Sequence, residues 1–156
     1  MTMQKIRGFE VVVDEHRQHR DVEIQLPTRG TKYSSGYDFY SPADYIIPPN
    51  QRFVIPTDIK SYMQDNETLK MYIRSSIGIK KGLVLSNNVA IIDKDYYGNP
   101  NNDGNIGIAI WNPTNEILTI SKGERIAQGI FVNYLIADNG NLDNERIGGV
   151  GSTGQK

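Results

Sequence analysis

The chain has no cysteine. That excludes disulfides, thiolate nucleophiles and cysteine-ligated zinc, and fits a cytoplasmic protein. Long apolar runs are missing as well. The longest stretch without a polar side chain is Ile106–Trp111, far short of the roughly 18–20 residues of a membrane helix, so no membrane partner is expected. The opening MTMQKIRGFE lacks the apolar core of a secretion signal. No excess of one charge exists either: 17 Lys+Arg stand against 18 Asp+Glu, a net charge of −1. Bulk nucleic-acid binding rests on neutralising many phosphates and is not expected. One small polyanion held by a local cluster is compatible with this balance. The apolar share is only 38% of 156 residues. The length fits one domain, with a core thin enough that burial against sister subunits is anticipated.

Helical periodicity is also absent over any long segment; period-2 alternation takes its place. In Thr68–Arg74 the residues Leu69, Met71 and Ile73 share one face, and in Ile106–Trp111 the residues Ile106, Ile108 and Ile110 do the same. Phe9–Val13, Phe53–Ile59, Leu83–Leu85, Val89–Ile92, Ile117–Ile120 and Ile126–Val132 are further predicted strands. Turn formers separate them: Pro48-Pro49-Asn50, Asn87-Asn88, Asn102-Asp103-Gly104 and Asn139-Gly140. Many short, closely spaced strands predict an all-β sandwich, jelly roll or barrel. The one predicted helix lies within Ser75–Lys81. The polar, glycine-rich Asp138–Lys156 reads as a flexible C-terminal arm after a domain of residues 1–137.

Three segments carry candidate chemistry, each with two readings open. Arg146-Ile147-Gly148-Gly149-Val150-Gly151-Ser152-Thr153-Gly154 is either a disordered tail or a phosphate cradle, since glycines let backbone N–H groups turn toward an anion. Arg74-Ser75-Ser76 is either a surface arginine beside a serine helix cap or a set of donors for phosphate oxygens. Asp93 follows an apolar run and is either a solvated turn residue or a general base. Asp93 and Asp95 share a strand face, but two carboxylates without a nearby histidine make a weak metal site. His16 and His19 sit in a charged loop with no third ligand, and Trp111 is expected in the core.

Taken in order, these segments resemble the homotrimeric deoxyuridine triphosphatase (dUTPase) family. LPTRGTKYSSGYDFYS (Leu26–Ser41), RSSIGIKKGL (Arg74–Leu83), NNVAIIDKDYYG (Asn87–Gly98), KGERIAQGIF (Lys122–Phe131) and RIGGVGSTG (Arg146–Gly154) resemble its five motifs in family order. The resemblance implies an all-β jelly-roll (β-clip) subunit, a homotrimer with sites at subunit interfaces, and an arm that closes over a neighbour's site. It implies Mg²⁺-dependent hydrolysis of dUTP to dUMP and pyrophosphate, which supplies dUMP for thymidylate synthesis and keeps uracil out of DNA. By the same resemblance, Asp93 activates the attacking water. The Tyr96 ring lies against the deoxyribose and leaves no room for a 2′-hydroxyl. Asn87 and the backbone of Ile91 and Ile92 fall in a hairpin that reads the uracil, and Gly107 is a further substrate-binding position. Arg74, Ser75, Ser76 and Gln128 bind phosphates, Arg146, Ser152 and Thr153 cover the γ-phosphate, and Asp38 is a supporting acid. Mg²⁺ is held mainly by the triphosphate, with no direct protein ligand.

The chain departs from the family pattern in three places. Val150 stands where the family usually has a base-stacking Phe, so weaker arm closure is expected. Pro100–Asn105 lengthens the segment after the third motif; it is expected to extend a hairpin and offers a surface for a protein regulator. Gln64–Thr68 replaces a Pro/Gly turn. Two other functions share some of these features. A dCTP deaminase needs a catalytic Glu where this chain has Ala109, and it lacks such an arm. A dUTPase-like regulator that binds nucleotide and a partner protein would add to the retained Asp93 rather than replace it.

Overall fold

A computed structural model of the chain describes residues 3–140 and Arg146. The expectations for Val150, Ser152 and Thr153, and for the arm's path over a neighbour, lie outside the described residues. The described residues contain twelve strands, one short α-helix and two 3₁₀ turns. In chain order they are β1 (Gly8–Val11), β2 (Thr28–Arg29), β3 (Tyr37–Tyr40), β4 (Tyr45–Ile47), β5 (Arg52–Pro56), β6 (Ile59–Tyr62), β7 (Glu67–Ile73), α1 (Ser75–Lys81), β8 (Val84–Leu85), β9 (Ala90–Ile92), β10 (Gly107–Trp111), β11 (Leu118–Ile120) and β12 (Arg125–Asn133). The 3₁₀ turns are Asp14–His16 and Lys94–Tyr96. The fold is all-β and of the expected jelly-roll type.

All strand pairs are antiparallel. The main sheet runs β2-β3-β12-β7-β9, a second runs β5-β10-β8, and β1-β6 and β4-β11 form two-stranded ribbons. Alternation puts Leu69 and Met71 of β7 inward, beside Phe39 of β3, where each is essentially fully buried. Gly129 of β12 faces all three: a Cβ there would come within 2.9 Å of Leu69 and Met71 and 3.3 Å of Phe39. The missing side chain lets the sheet's core layer close up. Phe9 of β1 caps this layer edge-on, 5.4 Å from the Phe39 ring and 5.3 Å from Phe131. Ile55, Ile108, Ile110 and Ile106 extend the same core beneath the second sheet.

α1 occupies the predicted segment. Arg74 is its N-cap position, and Gly82 ends it in the left-handed region (φ 78°), its N–H reaching the carbonyls of Gly78 and Ile77. Among the described residues no helix is long and apolar enough to cross a membrane.

Several expectations are corrected. Phe53–Ile59 is two strands, broken at Asp58, which takes φ 60° and is fully buried. Its carboxylate accepts the N–H groups of Gln18 and His19 at 2.8 Å and the amide of Asn105 at 2.9 Å. Hydrogen bonds to partners distant in sequence outweigh the apolar run there. Trp111 is half-buried on the outward face of β10, where the Arg52 guanidinium lies 4.9 Å from its ring. Asn87 lies in a turn that carries the chain from β8, paired with β10, to β9, paired with β7, so β8 and β9 do not form a hairpin ladder. Pro100–Asn105 does not extend a hairpin either. It is a run of turns folded inward, with Asp103, Gly104 and Asn105 buried and only Pro100 and Asn101 exposed. Gln64–Thr68 forms a turn into β7, closed by Glu67 Oε1 accepting the Gln64 N–H at 2.9 Å.

Asn112, fully buried after β10, ties its own loop to the turn after β4. Its amide donates to the carbonyls of Ile47 (3.0 Å) and Glu116 (2.8 Å), and its Oδ1 accepts the Thr114 N–H (3.0 Å) and hydroxyl (2.7 Å). Asn112→Ala leaves these groups unpaired in the interior. Urea unfolding is expected to show a loss of at least about 2 kcal/mol; a change within error would show that water replaces the amide at no cost.

Candidate active site

Two clusters gather most of the described candidate residues, and strand β7 separates them. The first lies beyond the end of β9. Pairing of Leu69 with Ile92 and of Met71 with Ala90 places Asp93 beside Thr68, near the start of β7, and the Thr68 hydroxyl donates to the Ile92 carbonyl at 3.1 Å. Asp93 has extended backbone (ψ 154°) and precedes the 3₁₀ turn that carries Asp95 and Tyr96. Arg146 reaches this cluster. Its Nη2 donates to Asp93 Oδ2 at 2.5 Å, its Nε donates to Asp95 Oδ1 at 2.9 Å, and its guanidinium lies 5.7 Å from the Tyr96 ring centroid. Asp93 and Asp95 are about half exposed, whereas Arg146 is nearly buried between them. Arg146 thus sits on the aspartates of its own chain. A cavity of about 390 Å³ is lined here by Asp65, Glu67, Asp93, Lys94, Asp95 and Arg146, among others. Lys94 pairs with Asp65, and that hydrogen bond lowers the Asp65 pKa below its ordinary value.

Tyr96 itself is buried, and its neighbour Tyr97 anchors the segment to β1. The Tyr97 hydroxyl donates to the Glu10 carboxylate, which holds the phenol's pKa up to about 12. β9 is an edge strand of the main sheet. One side of its backbone therefore faces no other described strand, an arrangement suited to reading a flat base by N–H and C=O groups.

The second cluster lies past the other end of β7. Arg74 follows Ile73, and Ala127 of β12 pairs with Ile73, so Gln128 emerges alongside, opposite Tyr72 and Asp38. Gly30, Thr31, Ser34, Ser35, Gly36, Asp38, Arg74, Arg125 and Gln128 line a cavity of about 430 Å³. Asp38 is nearly fully buried and stands between two cations, 3.2 Å from Arg74 Nη1 and 3.6 Å from Arg125 Nη1. Arg74 Nε is buried with no hydrogen-bond partner in the ligand-free chain. Gly36 packs against Gln128, where a Cβ would fall 2.5 Å from the amide oxygen. Ser75 and Ser76 open α1 directly after Arg74. The pocket offers guanidinium, hydroxyl and amide donors, the set that suits phosphate oxygens.

The structure therefore joins Asp38, Arg74 and Gln128 in one cavity, and Asp93, Tyr96 and Arg146 in another region. It does not join the two. Arg125 was missed as a pocket residue. Its position in KGERIAQGIF, three before Gln128, was the available signal. Asp95 was read only as a weak metal ligand, and its partner is Arg146. Among the described residues no three of His, Cys, Asp and Glu stand close enough to hold a metal ion.

Fold and clusters together describe an enzyme subunit built for a phosphorylated substrate. The comparisons with known proteins make this specific. The family model for dUTPase matches residues 22–154. The deoxyuridine 5'-triphosphate nucleotidohydrolase of Lactococcus lactis subsp. lactis (strain IL1403) is 47% identical over 152 residues, covering 96% of this chain and 99% of that protein. The protein of the same name from Hydrogenovibrio crunogenus (strain DSM 25203 / XCL-2) is 36% identical over 141 residues, covering 85% and 88%. The crystal structure of dUTPase from Streptococcus mutans is similar with a TM-score of 0.74 at 39% identity, covering 85% of this chain and 99% of that one. The chain belongs to the dUTPase family.

Removing Asp38 strands two arginines against each other. Asp38→Ala is expected to destabilise the fold by about 3 kcal/mol, the scale for breaking a buried ion pair from one side. Chemical unfolding measures it, and an unchanged midpoint would mean that the arginines are balanced without Asp38.

Proposed function

We propose that the protein hydrolyses dUTP to dUMP and pyrophosphate, at sites each assembled from more than one copy of the chain in a homotrimer. One observation carries the shared site. From Thr68, beside Asp93, to Arg74 is six residues of extended strand, about 20 Å at the usual rise per residue. One triphosphate cannot meet Asp93 at its α-phosphorus and Arg74 of the same chain along its phosphates. The anion pocket of one copy serves the aspartate of another.

In this reading Asp93 takes a proton from a water lined up on the α-phosphorus. The water oxygen bonds to that phosphorus, the bridging P–O bond to the β-phosphate breaks, and pyrophosphate leaves. Arg74, Ser75, Ser76 and Gln128 hold the phosphates in line, so positioning supplies much of the rate. The Tyr96 ring packs on the deoxyribose. Asn87, the free edge of Ile91 and Ile92, and Gly107 form the uracil pocket, which rejects cytosine by donor–acceptor mismatch and thymine by its methyl. Arg146, Ser152 and Thr153 close on the γ-phosphate, with Val150 giving the base only aliphatic contact.

The donor set fits Mg²⁺ that arrives on the substrate. The anion pocket presents hydrogen-bond donors to the phosphates, while the acceptor oxygens suited to a hard cation belong to the triphosphate itself. When bound, Mg²⁺ neutralises charge on those phosphates.

Purified protein given each nucleoside triphosphate with Mg²⁺ is expected to release pyrophosphate from dUTP, with UTP, dTTP and dCTP nearly inert. Comparable turnover of UTP would remove Tyr96 from its role. Asp93→Asn is expected to bind a dUTP analogue yet turn over at least about a hundredfold slower. The shared site has its own test. Asp93→Asn and Arg74→Ala chains, each inactive alone, are refolded together in equal amounts. Random assortment in a closed ring pairs intact Asp93 with intact Arg74 at about a quarter of the sites, and activity returns on that scale. No recovery in mixed trimers would mean that each chain carries a complete site.

A further inference from the structure

The departure at Pro100–Asn105 stands against the residue that meets the sugar. Asn102 Nδ2 donates to the Tyr96 hydroxyl at 2.7 Å, and that hydroxyl donates in turn to the Asn105 carbonyl at 2.9 Å. The Asn99 N–H returns to the Tyr96 carbonyl at 3.1 Å. Gly104 (φ 80°) packs so closely that a Cβ would lie 2.5 Å from the Tyr96 carbonyl oxygen and 3.1 Å from Tyr97 Cα. The loop thus holds Tyr96 by its hydroxyl and its main chain at once.

The loop is itself anchored to the rest of the subunit. Asn105 exchanges two hydrogen bonds with Asp58, its Oδ1 accepting the Asp58 N–H and its amide donating to Asp58 Oδ1, both at 2.9 Å. Asp103 Oδ2 accepts from Lys60 Nζ at 2.6 Å and from the Val13 N–H at 2.8 Å. Asn102 Oδ1 accepts the Gly104 N–H at 2.9 Å, so its amide has one orientation with the NH₂ turned toward Tyr96. A phenol with its hydroxyl fixed on both donor and acceptor sides has little freedom to tilt.

We propose that Asn102 is a positioning residue for sugar selectivity: through the Tyr96 hydroxyl it fixes the ring plane against which the 2′ position of the substrate is read. This rests on the reading above, in which Tyr96 packs on the deoxyribose. A ring free to tilt makes room for a 2′-hydroxyl while still covering the 2′-deoxy sugar. Loss of the clamp therefore raises turnover of UTP more than it lowers turnover of dUTP.

The test compares kcat/KM for dUTP and UTP in the wild type, Asn102→Ala, Tyr96→Phe and the double variant. Asn102→Ala is expected to reduce the dUTP-to-UTP preference about five- to tenfold, the scale of one net hydrogen bond. Tyr96→Phe keeps the ring and removes this bond together with the one to the Asn105 carbonyl. It is expected to lower the preference at least as much as Asn102→Ala, with no further loss in the double variant. If Asn102→Ala fails to fold, Asn102→Ser, too short to reach the Tyr96 hydroxyl yet able to accept the Gly104 N–H, takes its place and is expected to show the same loss of preference. A selective wild type whose foldable variants keep its ratio, or whose two losses simply add, overturns this proposal and leaves the hydrolase reading intact. A wild type inert toward dUTP overturns both.

Discussion

The length of β7 is the constraint that organises the molecule. A strand rises about 3.3 Å per residue and cannot be shortened without losing its ladder. β7 pairs along its length with β12 and through Leu69–Met71 with β9, so its two ends are fixed apart. The carboxylate that follows β9 belongs to one end, and the arginine that follows β7 belongs to the other. Each end is chemically incomplete: one has carboxylates and an aromatic ring, the other has phosphate donors. In the proposed reading this rigidity makes association part of the chemistry, because the two ends of one strand cannot serve the same triphosphate. It also gives a reason for the low apolar share, since faces such as the outward side of β10 are available to a neighbouring copy.

The anion pocket shows how a chain with a net charge of −1 can present a local positive site. Asp38 lies buried between Arg74 and Arg125, so the three charges sum to +1 in the cavity wall. The aspartate orients both guanidinium groups before any ligand arrives, which lowers the ordering cost of binding. Without it the arginines would repel each other and splay toward solvent. The unsatisfied Nε of Arg74 fits the same picture, a donor held in place with its partner yet to come.

Much of this was legible in the sequence, and for identifiable reasons. The strong alternation of Leu69, Met71 and Ile73 and the Ser75–Lys81 helix were readable because local pattern and packing agree there. β3 was not read, because Tyr37-Asp38-Phe39-Tyr40 sets a buried acid inside an aromatic strand. The demand for that acid comes from Arg74 and Arg125, distant in sequence. The break at Asp58 was invisible for a similar reason: an apolar run is interrupted by a buried carboxylate whose partners, Gln18, His19 and Asn105, come from two other loops. The site motifs were readable as types of residue in order. Their division between two ends of one strand depends on strand register, which spacing alone does not contain.

Arg146 adds a competition to the shared site. It holds Asp93 Oδ2, so an oxygen of the proposed general base is engaged by a guanidinium that lies 5.7 Å from the Tyr96 ring centroid. A carboxylate has two oxygens, so this contact occupies one side of Asp93 and leaves acceptor sites on the other. In the reading proposed above, a triphosphate offers Arg146 a competing anion. The exchange trades one charge-assisted contact for another, so the arm loses little on leaving the aspartate. In that reading, binding of the phosphates and release of Asp93 Oδ2 become a single event.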